Sequence, residues 1–559
     1  MSAPEPPAQW HRVLTLLADA SLFIGTRAVW SQAASHRLPV AGVISLCYAS
    51  ILVCGVLILV VRRAKSLARL DLCVLVTAVT LALCAWAMNH RGGDEAVLTT
   101  QAAKELVAGH VVYGQPWPWL FHTHGVALTP TVHGSYDYTY GYPPLAMLLT
   151  APLLWLGHGG APATALSTGA LVVGAVVLWR MLPVPWRSAA TMACLGFGFL
   201  PTYGRQGYPA ILALALLIPV VVRWPRIGQG GRLGPAGIAR AACLGAACAA
   251  QQLPWFLTPF LLAGLYAVRR GELGARQATL VVLRVLGVAV TVWLLINTYF
   301  IVHEPGTWLS GIALPLTQGA VLHGQGLVDI SLYFTDGSDR LDWYSHASLL
   351  LAAALLALFV LFVRRLGPAA TVLPWCAFFV ATRSQDGYYL MMTPLWLAAA
   401  ITAPASEFAR AWQPRPRLLS GPHRRPARIA AVVLLVLPTL VSATVAATGK
   451  PPLEMRVTAV QRASAKVVTR LTLQVTNTDD SALTPHFMLT TGQGMSRFWS
   501  IVQGPTTIPA HTSARIELRA PDGRFAVPRP SVRIRLRAFT ATPQTLSSQD
   551  IRLAVRKTE

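Results

Sequence analysis

The acidic pair Asp94–Glu95 is the feature of the sequence best placed to do chemistry. It follows Gly92–Gly93 at the end of an apolar run and begins a helical pattern over 95–108. Adjacent helix positions face different directions, so only one of the two carboxylates can enter a given pocket. Asp94 occupies the position of an N-cap, where the backbone fixes the side chain. Two interpretations stand: Asp94 is a general base, or it only caps the helix.

Two arginines and three tyrosines have the side chains needed to hold a polar ligand near this pair. Arg205 and Arg383 lie at the ends of apolar runs. Their guanidinium groups suit phosphate oxygens, although arginines at such positions also extend to a membrane surface without binding anything. Tyr138, Tyr140 and Tyr142 alternate in one polar stretch. They are candidates to line a polar binding site or to anchor the chain at a membrane interface.

The composition is typical of a membrane protein. Of 559 residues, 54% are apolar and 12% are charged, whereas soluble proteins carry about 25% charged residues. This excludes an ordinary soluble enzyme and a disordered chain. Runs of about 20 apolar residues can span a bilayer. Thirteen candidate spans lie near 13–31, 40–61, 71–89, 162–182, 188–202, 207–223, 237–253, 254–268, 278–302, 346–364, 367–382, 386–403 and 428–448.

The distribution of basic residues predicts the topology. With the N-terminus inside, 23 of the 30 basic residues in 1–448 fall in cytoplasmic loops, as the positive-inside rule requires. The net charge of +24 therefore does not call for a nucleic-acid partner. This orientation places the loops 90–142 and 303–345 and the tail 449–559 outside the cell. Asp19 and Arg27 are the ionisable residues of the first span, and we expect them near one helix face.

The tail 449–559 has the period-two pattern of β-strands. Seven short strand-like runs in about 110 residues predict a β-sandwich of immunoglobulin-like topology, and Trp499 is expected in its core. Arg533, Arg535 and Arg537 share one face of the sixth run, as an anion-binding row or as the solvated face of a strand. The runs are 453–460, 466–478, 486–491, 497–503, 514–520, 531–539 and 550–555.

Three short motifs, and their order along the chain, resemble those of the GT-C superfamily of polyprenyl-phosphate-sugar-dependent glycosyltransferases. The likeness is to its GT87-like branch of actinobacterial mannosyl- and arabinosyltransferases. The first is an acidic residue after a span, followed by a small-residue helix, Gly, Tyr and Tyr-Pro-Pro. The second is GRQGYPAILAL, and the third is the aromatic turn TRSQDGYYLMMTP. The residues that carry the first motif are Asp94, Ala102–Ala103, Leu106, Gly109, Tyr113 and Tyr142–Pro143–Pro144.

The resemblance implies a transmembrane GT-C-like domain over 1–448 and an extracytoplasmic immunoglobulin-like domain over 449–559. The implied activity is inverting transfer of mannose or arabinofuranose from a polyprenyl-phosphate donor to an envelope glycan or glycolipid, at the outer face of the plasma membrane. Asp94 would be the base, ionised at neutral pH because an ordinary aspartate has a pKa of about 3.9. We predict no cofactor and no metal. The implied substrate contacts are Glu95, Tyr138, Tyr140, Tyr142, Arg205, Gln206, Arg383 and Asp386.

Other functions remain open from the sequence. A non-catalytic scaffold that binds glycolipids would keep the fold without depending on Asp94. A transporter of lipids or solutes would need a polar path or two matching halves with interrupted helices. The sequence shows no clear internal repeat, and its spans carry few charges.

Overall fold

The computed structural model describes residues 8–127, 129–155, 162–317, 319–414, 416, 424–464, 466–527 and 533–551. Helices occupy the chain as far as residue 448, and strands predominate after it. The described residues include seven helices long and apolar enough to cross a membrane. This is the architecture of a polytopic helical membrane protein with a C-terminal β-rich region. The seven helices are Gln9–His36, Leu38–Val60, Ala64–Met88, Pro162–Met181, Ala275–His303, Asp342–Leu361 and Arg425–Thr448.

The remaining helices are shorter or less apolar, and several of the predicted spans are interrupted. The span expected at 188–202 is divided into Arg187–Leu195 and Phe199–Gln206, and the one at 386–403 into Asp386–Leu390 and Thr393–Thr402. The span expected at 367–382 consists of the short helical pieces Gly367–Ala369, Leu373–Cys376 and Ala377–Val380. The count of thirteen spans therefore stays a prediction. The other α-helices are Asp94–Val107, Pro118–His124, Leu145–Leu154, Pro209–Val221, Pro235–Ala250, Leu253–Leu273, Pro305–Thr317, Val363–Leu366 and Leu373–Cys376.

A buried polar cluster joins the first and third long helices to the helix Arg187–Leu195. The carboxylate of Asp71 lies 2.8 Å from the ring of His11 and accepts hydrogen bonds from the hydroxyls of Thr15, at 2.8 Å, and Ser188, at 2.5 Å. All four side chains are enclosed. Because a buried carboxylate is costly unless it is bonded, this cluster fixes how the three helices pack.

The structure separates two residues that the sequence analysis placed together. Asp19 is 2% exposed, whereas Arg27 lies on the exposed surface of the same helix. Eight helical residues rotate the direction of a side chain by about 80°, which is enough to move it from the packed face to the outer face. The expectation that the two residues share a helix face is therefore wrong.

We predict that Asp71→Ala lowers the free energy of unfolding by about 3 kcal/mol, because His11, Thr15 and Ser188 lose a buried acceptor. Thermal unfolding of the purified protein in detergent measures the change. Arg27→Ala is the matched control, since it removes an exposed charge from one of the same helices. Equal losses in the two variants would contradict the structural role of the cluster.

The β-rich region consists of two five-stranded sheets that share an apolar core. In the first sheet, Val467–Asn477 pairs with three neighbours, and in the second, Ile534–Ala541 lies between His486–Thr491 and Gln544–Ile551. The remaining strands of the sheets are Leu453–Ser464, Gly494–Met495, Ser500–Gln503, Ser513–Arg519 and Phe525–Ala526, together with Gly337–Ser338 from the helical part.

Most of the seven predicted strands are present. His486–Thr491 has the predicted bounds, and Trp499 lies in the core, as expected, at 3% exposure. The last strand, Gln544–Ile551, begins earlier in the chain than predicted, and residues 552–555 of the predicted run lie outside the described residues. The immunoglobulin-like topology stays a prediction.

The two parts of the chain share a sheet. Gly337–Ser338, from the loop 303–345, pairs antiparallel with the last strand. The backbone carbonyl of Asp336 accepts a hydrogen bond from the amide of Ser548 at 2.7 Å. A mixed apolar cluster, including Leu332 of this loop and Phe539 of the second sheet, fills the junction. The β-rich region is therefore attached along the loop and not only through the chain at residue 449.

The arginine row expected on the surface of the tail lies mostly at this junction. Arg535 is 4% exposed and Arg537 is 2% exposed. Both guanidinium groups donate to the carbonyl of Leu332, at 2.8 and 2.7 Å, and Arg535 also bonds to Asp336 at 3.0 Å. The row is therefore neither a solvated face nor a site for an external anion, because its buried members already hold the neighbouring loop.

We predict that Arg535→Ala lowers the free energy of unfolding by about 2 kcal/mol, because it removes the hydrogen bonds to the carbonyls of Leu332 and Thr335 and the charged contact with Asp336. Arg533→Ala is the matched control, since Arg533 is exposed and bonds to Asp550 at the surface. Its melting temperature should match that of the wild type. Similar melting temperatures for the two variants would show that the buried arginine does not hold the junction.

Candidate functional site

Asp94 is the first residue of the helix Asp94–Val107, close to the predicted bounds. The N-cap is Gly93, and no side chain makes a capping hydrogen bond there, so the expectation of Asp94 at the N-cap is wrong. Gly92 has a φ of 80°, a value that favours glycine, and this turns the chain into the helix. One oxygen of Asp94, Oδ1, accepts the amide hydrogen of Glu95 at 3.0 Å. The other, Oδ2, accepts the hydroxyl hydrogen of Thr129 at 3.2 Å. Asp94 thus bonds both to the first turn of its own helix and to Thr129, 35 residues further along the same loop.

The two neighbouring carboxyl groups are half-buried side by side, and this changes their protonation. Burial is the main cause that raises the pKa of Asp94 above that of an ordinary aspartate. Burial and the negative charge of Asp94 raise the pKa of Glu95 to about 8. The expectation of an ordinary pKa for Asp94 is therefore wrong. Glu95 is mainly protonated at neutral pH, and its buried Oε2 has no hydrogen-bond partner among the described residues.

A parallel pair of short strands carries Arg383 to this site. His323–Gly324 pairs with Arg383–Ser384. Gly324 permits this pairing, since a side chain there would collide with the backbone of Ser384. The positive charge of Arg383 lowers the pKa of Asp94 and of Glu95, against the larger effect of burial. Its Nε is buried with no hydrogen-bond partner in the described part of the chain.

Asp137 is a third carboxyl group of the site that the sequence analysis did not single out. Its Oδ1 accepts hydrogen bonds from the amide and hydroxyl of Thr139, at 3.1 and 2.9 Å. Burial raises its pKa, the charge of Asp94 adds to this increase, and the charge of Arg383 opposes it. The sequence feature that could have indicated Asp137 is its position between Tyr136 and Tyr138, in the same loop as Tyr140 and Tyr142.

The GRQG stretch, residues 204–207, contacts the residues on either side of the acidic pair. The amide of Gly93 donates to the carbonyl of Gln206 at 2.9 Å. Gly207 has a φ of 81°, and a Cβ there would lie 2.4 Å from the Cβ of Ala96. The Arg205 guanidinium donates to the hydroxyl of Thr202 at 3.1 Å, and burial lowers its pKa. Among the described contacts, none joins Arg205 to the acidic pair.

The three tyrosines that were predicted to contact the substrate have different environments. Tyr140 is fully enclosed, and its hydroxyl donates to the carbonyl of Pro143 at 3.2 Å. A ligand cannot reach Tyr140, so its assignment as a sugar contact is corrected to a packing role. Tyr142 lies beside Glu95 and lowers its pKa, against the larger effect of burial. Tyr138 packs edge-on against Phe121, with ring centroids 5.4 Å apart.

A cavity of about 200 Å³ lies close to the acidic pair without being lined by it. Two of its lining residues make the connection: Tyr208 follows Gly207, which packs against Ala96 of the acidic helix, and His323 pairs with Arg383. The helix of Asp386 contributes to the wall, but the side chain of Asp386 lies outside the described residues. The lining residues are Tyr203, Tyr208, His323, Gly324, Gln325, Gln385, Gly387, Met391 and Gln493.

No known family model, curated protein or solved structure matches the chain. The resemblance to glycosyltransferases therefore rests on the motifs and on their placement. The structure brings parts of all three motifs together: Asp94–Glu95 with Tyr142, the backbone of Gln206, and Arg383. Among the described residues, no group of three or more His, Cys, Asp or Glu is placed to hold a metal ion.

We predict that Gly207→Ala lowers the free energy of unfolding by about 1–3 kcal/mol more than Gly230→Ala. Both glycines have positive φ, but a Cβ at Gly207 collides with Ala96, whereas nothing lies within 4 Å of one at Gly230. Thermal unfolding of the two variants separates the collision from the backbone cost. Equal losses would mean that the GRQG stretch does not pack tightly against the acidic helix.

Proposed function

We propose that the protein is an integral-membrane inverting glycosyltransferase that uses a polyprenyl-phosphate sugar. The observation that carries the proposal is the half-buried Asp94–Glu95 pair within the field of the Arg383 charge, close to a polar cavity and to apolar helices. Such a site offers a base, a cation and a place for a sugar. The apolar helices offer an environment for a prenyl chain.

The chemistry follows from the positions of the charges. The acceptor hydroxyl attacks the anomeric carbon and gives its proton to Asp94, while the bond from that carbon to the phosphate oxygen breaks. Polyprenyl phosphate leaves with the electron pair, and Arg383 stabilises its developing charge. Attack from the side opposite the leaving group inverts the anomeric configuration. The raised pKa of Asp94 makes it a better proton acceptor than an ordinary aspartate.

The proposed substrates and location follow the motifs and the topology. The donor is a mannosyl or arabinofuranosyl polyprenyl phosphate, and the acceptor is a glycan or glycolipid of the cell envelope. The distribution of basic residues supports a site on the extracytoplasmic face of the plasma membrane. The β-rich region then lies on the same side, which agrees with its attachment to the loop 303–345.

We predict that Asp94→Asn reduces sugar transfer at least about 100-fold, because the amide cannot accept the proton. Membranes carrying either form are incubated with labelled polyprenyl-phosphate sugars, and the labelled product is counted. Asp480→Asn is the matched control, since Asp480 is almost fully exposed on the β-rich region. Equal transfer by wild type and Asp94→Asn would exclude Asp94 as the base. The scaffold alternative predicts no transfer by any form.

We predict that Arg383→Gln raises the KM for the donor about 10-fold or more, because it removes a charge-assisted contact to the phosphate. Arg205→Gln is the comparison, because Arg205 was an equal candidate from the sequence but bonds to Thr202 in the structure. The KM for the acceptor should change little in either variant. A larger increase for Arg205→Gln would assign the phosphate to Arg205 instead.

A further inference from the structure

We propose that the cavity beside Asp94 binds a neutral sugar unit, and that Gln493 of the β-rich region is a specificity-determining residue of this site. The identity of this sugar as the acceptor rests on the proposed function. The binding site itself rests only on the residues that line the cavity. The β-rich region then completes the site instead of being a separate accessory.

Three amide side chains converge on the cavity from distant parts of the chain. Gln325 comes from the loop 303–345, Gln385 from the turn before the helix Asp386–Leu390, and Gln493 from the β-rich region. An amide group both donates and accepts hydrogen bonds. Hydroxyl groups, which also do both, are the natural partners of such a set. Three amides together therefore suit a ligand with several hydroxyls.

The remaining lining residues favour a sugar without charge. None of the nine lining residues is Lys, Arg, Asp or Glu, and His323 is the one titratable side chain besides the two tyrosines, so the wall offers an acidic ligand no permanent opposite charge. Tyr203 and Tyr208 lie at one side with ring centroids 5.2 Å apart. Aromatic rings provide the apolar surface on which the carbon face of a sugar ring can pack.

The position of Gln493 is set by contacts of its own strand region with the loop 90–142. The amide of Phe498 donates to the hydroxyl of Tyr136 at 2.8 Å, and the two rings lie 5.4 Å apart. A side chain at Gly134 would collide with the ring of His486, so the two surfaces are in close contact. The turn that carries Gln493 is thus held against the helical part and cannot be an independent loop.

Gln493 is exposed apart from its contact with the cavity, and it lies between Gly492 and Gly494. Its truncation therefore removes no core packing, and Gln493→Ala should fold normally. Gln474→Ala is the matched control, since Gln474 is an exposed glutamine in the middle of Val467–Asn477 and is not among the cavity residues.

The test is equilibrium binding to the full-length protein in lipid nanodiscs, with two neutral probes, an α-1,6-mannotriose and an arabinofuranosyl trisaccharide, and one acidic probe, trigalacturonate. We expect a neutral probe to bind wild type and Gln474→Ala equally, and Gln493→Ala between about threefold and tenfold more weakly. Equal binding by Gln493→Ala, tighter binding of trigalacturonate, or no binding of either neutral probe would overturn the proposal.

The same measurement on Asp94→Asn separates this inference from the proposed activity. A neutral probe that binds Asp94→Asn, and loses affinity with Gln493→Ala, supports the site even if Asp94→Asn still transfers sugar. In that case the proposed catalytic role fails while the binding site stands. Conversely, loss of transfer in Asp94→Asn together with unchanged probe binding in Gln493→Ala would leave the activity and overturn the site.

Discussion

The burial of Asp94 and Glu95 side by side is the constraint on which the candidate site depends. Two adjacent carboxyl groups removed from water cannot both ionise freely, because burial and mutual repulsion disfavour the charged forms. Hydrogen bonds to Asp94 and the positive charge of Arg383 partly offset this cost by stabilising the ionised carboxylate of Asp94. The pKa of both groups is still raised. An exposed pair would be fully ionised and weakly basic, whereas the raised pKa of Asp94 makes its carboxylate a stronger proton acceptor.

Holding this pair requires elements from the whole chain. The helix of Asp94 packs against Gly207, the strand that carries Arg383 pairs with His323–Gly324, and the loop of Asp137 contacts the β-rich region through Tyr136. The loop 303–345, which carries His323, is bonded to buried arginines of the second sheet. Both loops beside the polar site are therefore in contact with the β-rich region.

The parts that could be predicted from the sequence are those set by local pattern. Apolar runs indicated helices, alternation indicated strands, and the position of Asp94 after two glycines indicated the start of a helix. The missed features depend on residues far apart in the chain. Pairing of His323 with Arg383, the approach of Asp137 and the burial of Arg535 leave no periodic signal, because each is decided by tertiary contact. The enclosed position of Tyr140 is of the same kind.

The dependence of transfer on pH tests most directly whether this buried pair supplies the base. The rate at saturating donor should fall as pH falls through the raised pKa of Asp94, at a higher pH than an ordinary aspartate with its pKa of about 3.9 would give. In Arg383→Gln the loss of positive charge should raise that pKa further and move the acidic limb to higher pH. An acidic limb near pH 4 in the wild type, or one that stays in place or moves to lower pH in Arg383→Gln, would contradict the account.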